Sequence, residues 1–250
     1  MNATITIWAK HMRKFFRSRE ELGGLLIQPM LWVALFGVGM GSILSSAGNP
    51  NYMSFLLPGI LALTALGGAA GGGIILLDER IRGIMKEYLV APIPRLSILM
   101  GSVASTTTKA LFQVVIILVL GLLLGGQLTA NPLGWLGLFV LITLFSVGFA
   151  GLALAVASKS RSIMGYHGML FLFNLPLLFA SNALYPLKQL PAWINVVAML
   201  NPTTYLIDAA RAVAFNGAAT IPLGVSFAVL LVLAVGGMWL ALASFRSTIR

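Results

Sequence analysis

The sequence predicts an all-α membrane protein of six transmembrane helices, and three observations lead there. Of 250 residues, 59% are hydrophobic and only 9% charged, with a mean hydropathy of +0.98. The charges are bunched: none occurs from Leu22 to Leu77, Ala110 to Ser158, Ser162 to Leu187, or Ala212 to Phe245. Each gap can hold a span of about 20 apolar residues, and the longest can hold two. The basic residues also sort by gap. Segment 1–24 carries Lys10, Arg13, Lys14, Arg17 and Arg19; 78–97 carries Arg80, Arg82, Lys86 and Arg95. Lys159 and Arg161 mark the turn at 158–162, and Arg246 and Arg250 mark the tail, whereas 46–53 and 126–132 have no basic residue. This alternation is the positive-inside bias, so the basic segments and both termini are expected in the cytoplasm of a multi-pass cell (inner or plasma) membrane protein.

Membrane topology also accounts for the formal charge of +10, so no nucleic-acid partner is needed to explain it. The chain has no cysteine, which excludes disulfides and thiolate metal sites, and no metal site is expected. A cleaved signal peptide ending near Ser45-Ser46-Ala47 fits poorly, because the basic leader is too long and the apolar run fills a whole span.

Taken in order, residues 4–20 read as an amphipathic interfacial helix, with an interfacial segment bounded at 1–21. Ile5, Trp8, Met12, Phe15 and Phe16 recur at steps of three and four, with Lys10, Arg13, Lys14 and Arg17 opposite. A plain basic cluster that only sets topology is the alternative. The first span is expected at 25–45 and the second at 54–77, joined by an external turn at Gly48-Asn49-Pro50. A cytoplasmic segment, 78–97, follows. The third span covers about 104–126, with Lys109 close enough to its inner end to snorkel. The fourth covers about 133–157, the fifth 163–182 and the sixth 223–245. Segment 183–222 is too apolar for an ordinary loop, yet Pro186, Pro191, Pro202 and Pro222 interrupt it. It reads as an external hairpin of two short re-entrant helices, whose backbone at membrane depth must be buried in protein or line a wet cavity. The whole of 1–250 forms one domain.

Several motifs fail. Ile74 to Leu77 followed by Asp78-Glu79 resembles a Walker B strand, but no Gly-Lys dipeptide exists to cradle phosphate. Leu124-Gly125-Gly126-Gln127 resembles part of an ATPase signature at the wrong end of a span. Gly67 to Gly73 and Gly37 to Gly41 supply small-residue pairs that read as helix packing or as a substrate-lining face. Polar residues within spans are few: Gln28, Thr64, Gln113, Thr143, His167 and Asn174. Lone amides are more often interhelical hydrogen bonds than ligands. No carboxylate lies at mid-span for ion coupling, which counts against a secondary transporter. Asp208 and Arg211, three apart on a short helix, suggest a local pair.

The stretch Asp78 to Pro92 mixes charge of both signs with Ile84, Tyr88 and Leu89, a form suited to docking into a partner's groove. A solvated loop is the plainer reading. The chain resembles the membrane subunits of type-2 ABC exporters, the group containing NodJ-like and daunorubicin-exporter-like permeases. Gln28-Pro29 in the first span carries the resemblance, as does the pattern Glu79-Arg80, Gly83, Glu87, Pro92. The series Tyr185-Pro186, Leu190-Pro191, Trp193, Asn201-Pro202, Tyr205, Asp208 and Arg211 carries it further, together with the basic amphipathic helix at the N-terminus.

That resemblance implies a non-catalytic half-transporter, paired with a second copy of itself or a related permease and seated in membrane lipid. A separate cytoplasmic ABC ATPase subunit would hold ATP and Mg, and this chain would carry no cofactor. The resemblance implies that 78–94 contains the coupling helix, with Glu79, Arg80, Gly83, Glu87, Tyr88 and Pro92 at the ATPase contact. Spans one, two and five would flank the path and dimer seam, with Met30, Phe36, Leu63, Phe171, Phe173 and Asn174 on the path. Tyr185, Pro191, Trp193, Asn201, Pro202, Tyr205, Asp208 and Arg211 would form an external lid. The expected cargo is a hydrophobic or amphipathic solute such as a drug, lipid or glycan. A self-contained channel or scaffold, with no ATPase partner, is the rival reading.

Overall fold

The computed structural model describes residues 3–40, 52–90, 93–184 and 191–248. The expected turn at Gly48-Asn49-Pro50, the end of the first span, Pro92, Tyr185, Pro186 and Leu190 lie outside the described residues. Every described element is helical. Helix α1 (Ala3–Arg17) is followed by α2 (Arg19–Trp32), which continues as a π-helical segment (Val33–Met40). Then come α3 (Tyr52–Ile81), α4 (Ile84–Val90), α5 (Arg95–Leu123) and α6 (Pro132–Lys159). The chain finishes with α7 (Ile163–Phe179), α8 (Ala192–Leu200), α9 (Pro202–Ala214) and α10 (Leu223–Thr248).

Among the described residues, four helices are long and apolar enough to cross a membrane: α3, α5, α6 and α10. They coincide with the second, third, fourth and sixth predicted spans. Helix α5 begins nine residues earlier than the hydropathy suggested, because Ile98, Leu99 and Val103 bury against other protein elements rather than lipid. It stops at Leu123 because Gly125 takes a φ of +98°, a left-handed conformation that favours glycine. Local chemistry sets other boundaries. Ser18 caps α2 by accepting from the Glu21 amide, and Asn131 caps α6, which opens on Pro132. Pro29 leaves α2 one backbone donor short just before the ladder widens into the π segment.

Helix α3 is the central post. Its Leu56, Leu57, Ile60 and Leu61 join Val114 and Ile117 of α5, and Leu138, Ile142 and Phe145 of α6, in one core. Leu206 and Ile207 of α9 close that core from one end. A second core at the basic end gathers Ile7 of α1, Leu76 and Leu77 of α3, Leu154 of α6 and Phe245 of α10. Helices α6 and α10 lie backbone against backbone, since a side chain on Gly237 would run into the Gly148 carbonyl. By contrast α2 buries no side chain, and α7 buries only Tyr166 and Leu178.

Candidate functional site

Three constellations stand along α3, from its basic end to its far end. At the basic end the carboxylate of Glu79 is buried, with only 5% of the residue exposed. It accepts from Lys10 Nζ at 2.8 Å and from the Tyr88 hydroxyl at 3.1 Å, and it lies 3.2 Å from His11 Nε2. Lys10 also donates to the Tyr88 hydroxyl at 2.5 Å, and His11 Nδ1 lies 3.0 Å from Ser105 Oγ. One carboxylate thus ties together α1, α3 and α4, and His11 extends the network to α5. Burial alone would lower the pKa of Lys10, but its bonds to Glu79 and Tyr88 outweigh that and raise it. Burial pushes the Tyr88 phenol up, against the pull of the Lys10 ammonium.

Around this knot, Asp78 holds Arg82 at 2.7 Å and Lys14 at 3.8 Å, and Arg80 donates to the Ser158 carbonyl. Gly83 takes a φ of +81° in the turn from α3 to α4, the conformation that lets α4 fold back. Of the residues expected to face a partner, Arg80 and Glu87 are exposed, whereas Glu79 is buried and Tyr88 half-buried.

Helix α1 buries Ile7, His11, Met12 and Phe15 in the protein, while Ile5 and Phe16 are half-exposed. Lys10 lies on the exposed side, where its periodicity places it, and also reaches Glu79, a partner 69 residues away that local periodicity cannot reveal. Lys109, by contrast, does not snorkel. It is 4% exposed, bonded to Glu21 at 2.6 Å, with its ammonium 4.8 Å from the centre of the Phe15 ring.

The middle constellation is a cavity of about 700 Å³ between α2, α3, α5 and α7. Five of the six polar residues noted within spans line it: Gln28, Thr64, Gln113, His167 and Asn174. Thr143 does not, and bonds its own helix at the Phe139 carbonyl. Of the expected path residues, Leu63, Phe171 and Asn174 line the cavity. Met30, Phe36 and Phe173 do not; Phe36 stacks on Trp32, which does, with centroids 5.0 Å apart.

The glycines of α3 divide between two faces. A side chain on Gly68 would strike Ala110 and Gln113 of α5, and one on Gly72 would strike Thr106. Gly67 and Gly71 face open space and line the cavity. Packing accounts for Gly68 and Gly72, while Gly67 and Gly71 open on the cavity one residue out of phase, and Gly68 borders it as well. Local reasoning missed Trp32 and the convergence of the amides. The available signal was spacing: Gly24, Gln28 and Trp32 stand four apart, as do Thr64 and Gly68, and Gly67 and Gly71.

At the far end, Asn201 caps α9 and donates to the carbonyls of Leu177 and Ala180 at 2.8 and 3.0 Å, fastening α9 to the end of α7. Pro202 opens α9, and the Tyr205 hydroxyl donates to the Met199 carbonyl at 2.8 Å. Asp208 and Arg211 do not form the expected pair. Asp208 accepts from the amides of Thr220 and Ile221, at 2.9 and 2.8 Å. Arg211 donates to the carbonyls of Phe55 and Asn182, at 3.1 and 2.7 Å, over the Phe55 ring. Each side chain closes a different seam. Pro191 precedes α8, whose Trp193 and Leu200 are largely exposed.

Residues 2–215, which take in α1 to α9, match the ABC-2 type transporter family. The chain is 34% identical over 190 residues to the ycf38 transport permease of Cyanophora paradoxa. That match covers 74% of this chain and 65% of the relative, so the chain spans just under two thirds of it. It is 26% identical over 232 residues to the inner membrane transport permease YadH of Escherichia coli K12, covering 92% and 89% of the two chains. Nodulation protein J of Rhizobium leguminosarum bv. trifolii is 26% identical over 216 residues, covering 83% of this chain and 79% of that one. A multi-pass bundle whose described residues include four helices able to cross a membrane, matched over most of its length, this chain belongs to the ABC-2 type transporter family.

Proposed function

We propose that this chain is the permease half of an ATP-driven exporter, powered by a separate cytoplasmic ATPase subunit that holds ATP and Mg, and that it pairs with a second copy. The knot at Glu79 carries this reading. Tyr88 on the short helix α4 shares that carboxylate with α1 and α3, so a push on α4 from below is delivered to both. Glu87 and Arg80 are exposed to receive the push, and Gly83 is the hinge; Pro92 would end the docking segment.

In this reading the chain crosses six times, with both termini in the cytoplasm. Helix α2, about 21 Å long, continues through the π segment to Met40 as the first crossing, and α7, about 25 Å, begins the fifth. The cavity beneath Leu63, Phe171 and Asn174 belongs to the path, with Met30, Phe36 and Phe173 along the seam to the second copy. Helices α8 and α9 cover the outer mouth as a lid, through Pro191, Trp193, Asn201, Pro202, Tyr205, Asp208 and Arg211, with Tyr185 leading into it. The cargo is hydrophobic or amphipathic.

The test is purification in mild detergent after co-expression with candidate ABC ATPase subunits from the same genome. The ATPase co-purifies, and Glu87→Ala leaves the complex inserted while abolishing stimulation of hydrolysis. A chain that captures no ATPase, and conducts or assembles without one, is a channel or scaffold instead.

A further inference from the structure

The cavity combines an apolar wall with hydrogen-bonding groups that carry no fixed charge. Among the described residues, its lining includes no carboxylate, lysine or arginine. The charged pair on the same helices is spent internally: Lys109, one turn from Gln113 on α5, is bonded to Glu21, one turn from Leu25 on α2. Two amides besides Gln113, a threonine and an imidazole reach the wall, so donors and acceptors are both on offer.

Gln113 is the unusual member. It is 1% exposed, and its Nε2 has no hydrogen-bond partner in the protein. Its carboxamide is held against Gly68, where an added side chain would meet Oε1 at 2.7 Å. Which amide atom is nitrogen is an assignment, but one of the two is unsatisfied in either orientation. A buried amide donor without a partner costs folding energy, and a leucine there would remove that cost. Thr64 donates its hydroxyl to the Ile60 carbonyl at 2.8 Å, and no hydrogen bond joins it to the Gln113 Nε2. A phosphate or carboxylate headgroup would enter this wall without a fixed cation to meet it, at a desolvation penalty. A purely apolar solute would leave the amides unanswered.

Taking the cavity as part of the transport path, we infer that its ligand is an uncharged amphiphile whose headgroup is built from hydroxyls or amides. Gln113 is the buried anchor for that headgroup, Asn174 answers it from the facing helix, and Leu63, Trp32 and Phe171 take the apolar body. The inference assigns a headgroup chemistry, which the coarser description of an amphipathic cargo leaves open.

Trp32 supplies the readout. The full chain, keeping Trp32 as its sole tryptophan, is placed in phosphatidylcholine nanodiscs and titrated with three probes bearing the same brominated acyl chains. One is a glucosyl diacylglycerol, one phosphatidic acid and one a simple methyl ester. The glucosyl probe quenches Trp32 saturably, at least tenfold tighter than the other two. Gln113→Leu weakens it about tenfold, the worth of one good hydrogen bond, with the thermal midpoint unchanged or raised. Asn174→Leu weakens it in the same direction and serves if the first variant fails to fold. Equal binding of all three probes, preference for phosphatidic acid, or full affinity in both variants would overturn the headgroup assignment while leaving a cavity that binds. Absence of saturable quenching by any probe would remove the cavity itself from the path.

Discussion

Residues that hydropathy alone could not interpret turn out to hold the seams. Arg211 looked like half of a local pair, yet its guanidinium is committed to two carbonyls on separate segments and to one ring. Arg211→Met should therefore orphan the Phe55 and Asn182 carbonyls and cost about 1–3 kcal/mol, read as a lowered thermal midpoint in detergent. Asp208→Asn should cost less, because an amide oxygen still accepts from Thr220 and Ile221. Lys10 gives a pH prediction of definite sign. Its pKa is raised in the folded state, so its contribution to α1 docking is complete below its ordinary value of 10.5 and is lost as pH climbs through the higher folded value. Hydrogen exchange of α1 should therefore show no loss of protection from Lys10 across the neutral range; loosening there would mean the ammonium does not hold the helix. The residue types at these seams were visible in the sequence. Their partners were not, because Lys10 and Glu79 are 69 positions apart and Arg211 and Phe55 are 156 apart.

Helices were the most legible level. Charge-free gaps located α3, α5, α6 and α10, and the prolines at 191 and 202 bracketed two short helices as expected. What the sequence concealed was which face of each helix is used, since lipid and protein interior are equally apolar and no hydrophobic stripe separates them. Helix α3 illustrates this, and it can be tested by one-residue contrast. Gly72→Leu drives a side chain into Thr106 and should lower the thermal midpoint by an overpacking cost of about 1–3 kcal/mol. Gly67→Leu meets nothing on the protein side, so it should keep the midpoint while filling the cavity and reducing transport in vesicles. The same stability loss in both would show that the two faces are not distinct. The five polar residues that line the cavity were each named from the sequence. Their convergence was hidden because it depends on how α2, α3, α5 and α7 rotate about their axes.

For the whole molecule, the uneven coverage of the bundle is informative. Helix α7 exposes Leu172 and Phe173 to 69% and 58%, and it borders the cavity through Phe171 and Asn174. Because the chain has no cysteine, contact can be mapped one residue at a time. Phe173→Cys should give a disulfide-linked dimer under mild oxidation, on a non-reducing gel, whereas Val232→Cys on α10, 71% exposed and away from the cavity, should stay monomeric. The reverse pattern would move the seam to α10. The docking of α1 also bears on how the protein is made. This helix leaves the ribosome before the segments it docks on, since its anchors at Glu79, Ser105 and Thr108 follow 68 to 100 residues later. Through that interval its apolar side needs another surface, and a basic amphipathic helix can wait on the bilayer. The bundle is completed when this earlier segment, parked on the lipid, is recruited by the later ones.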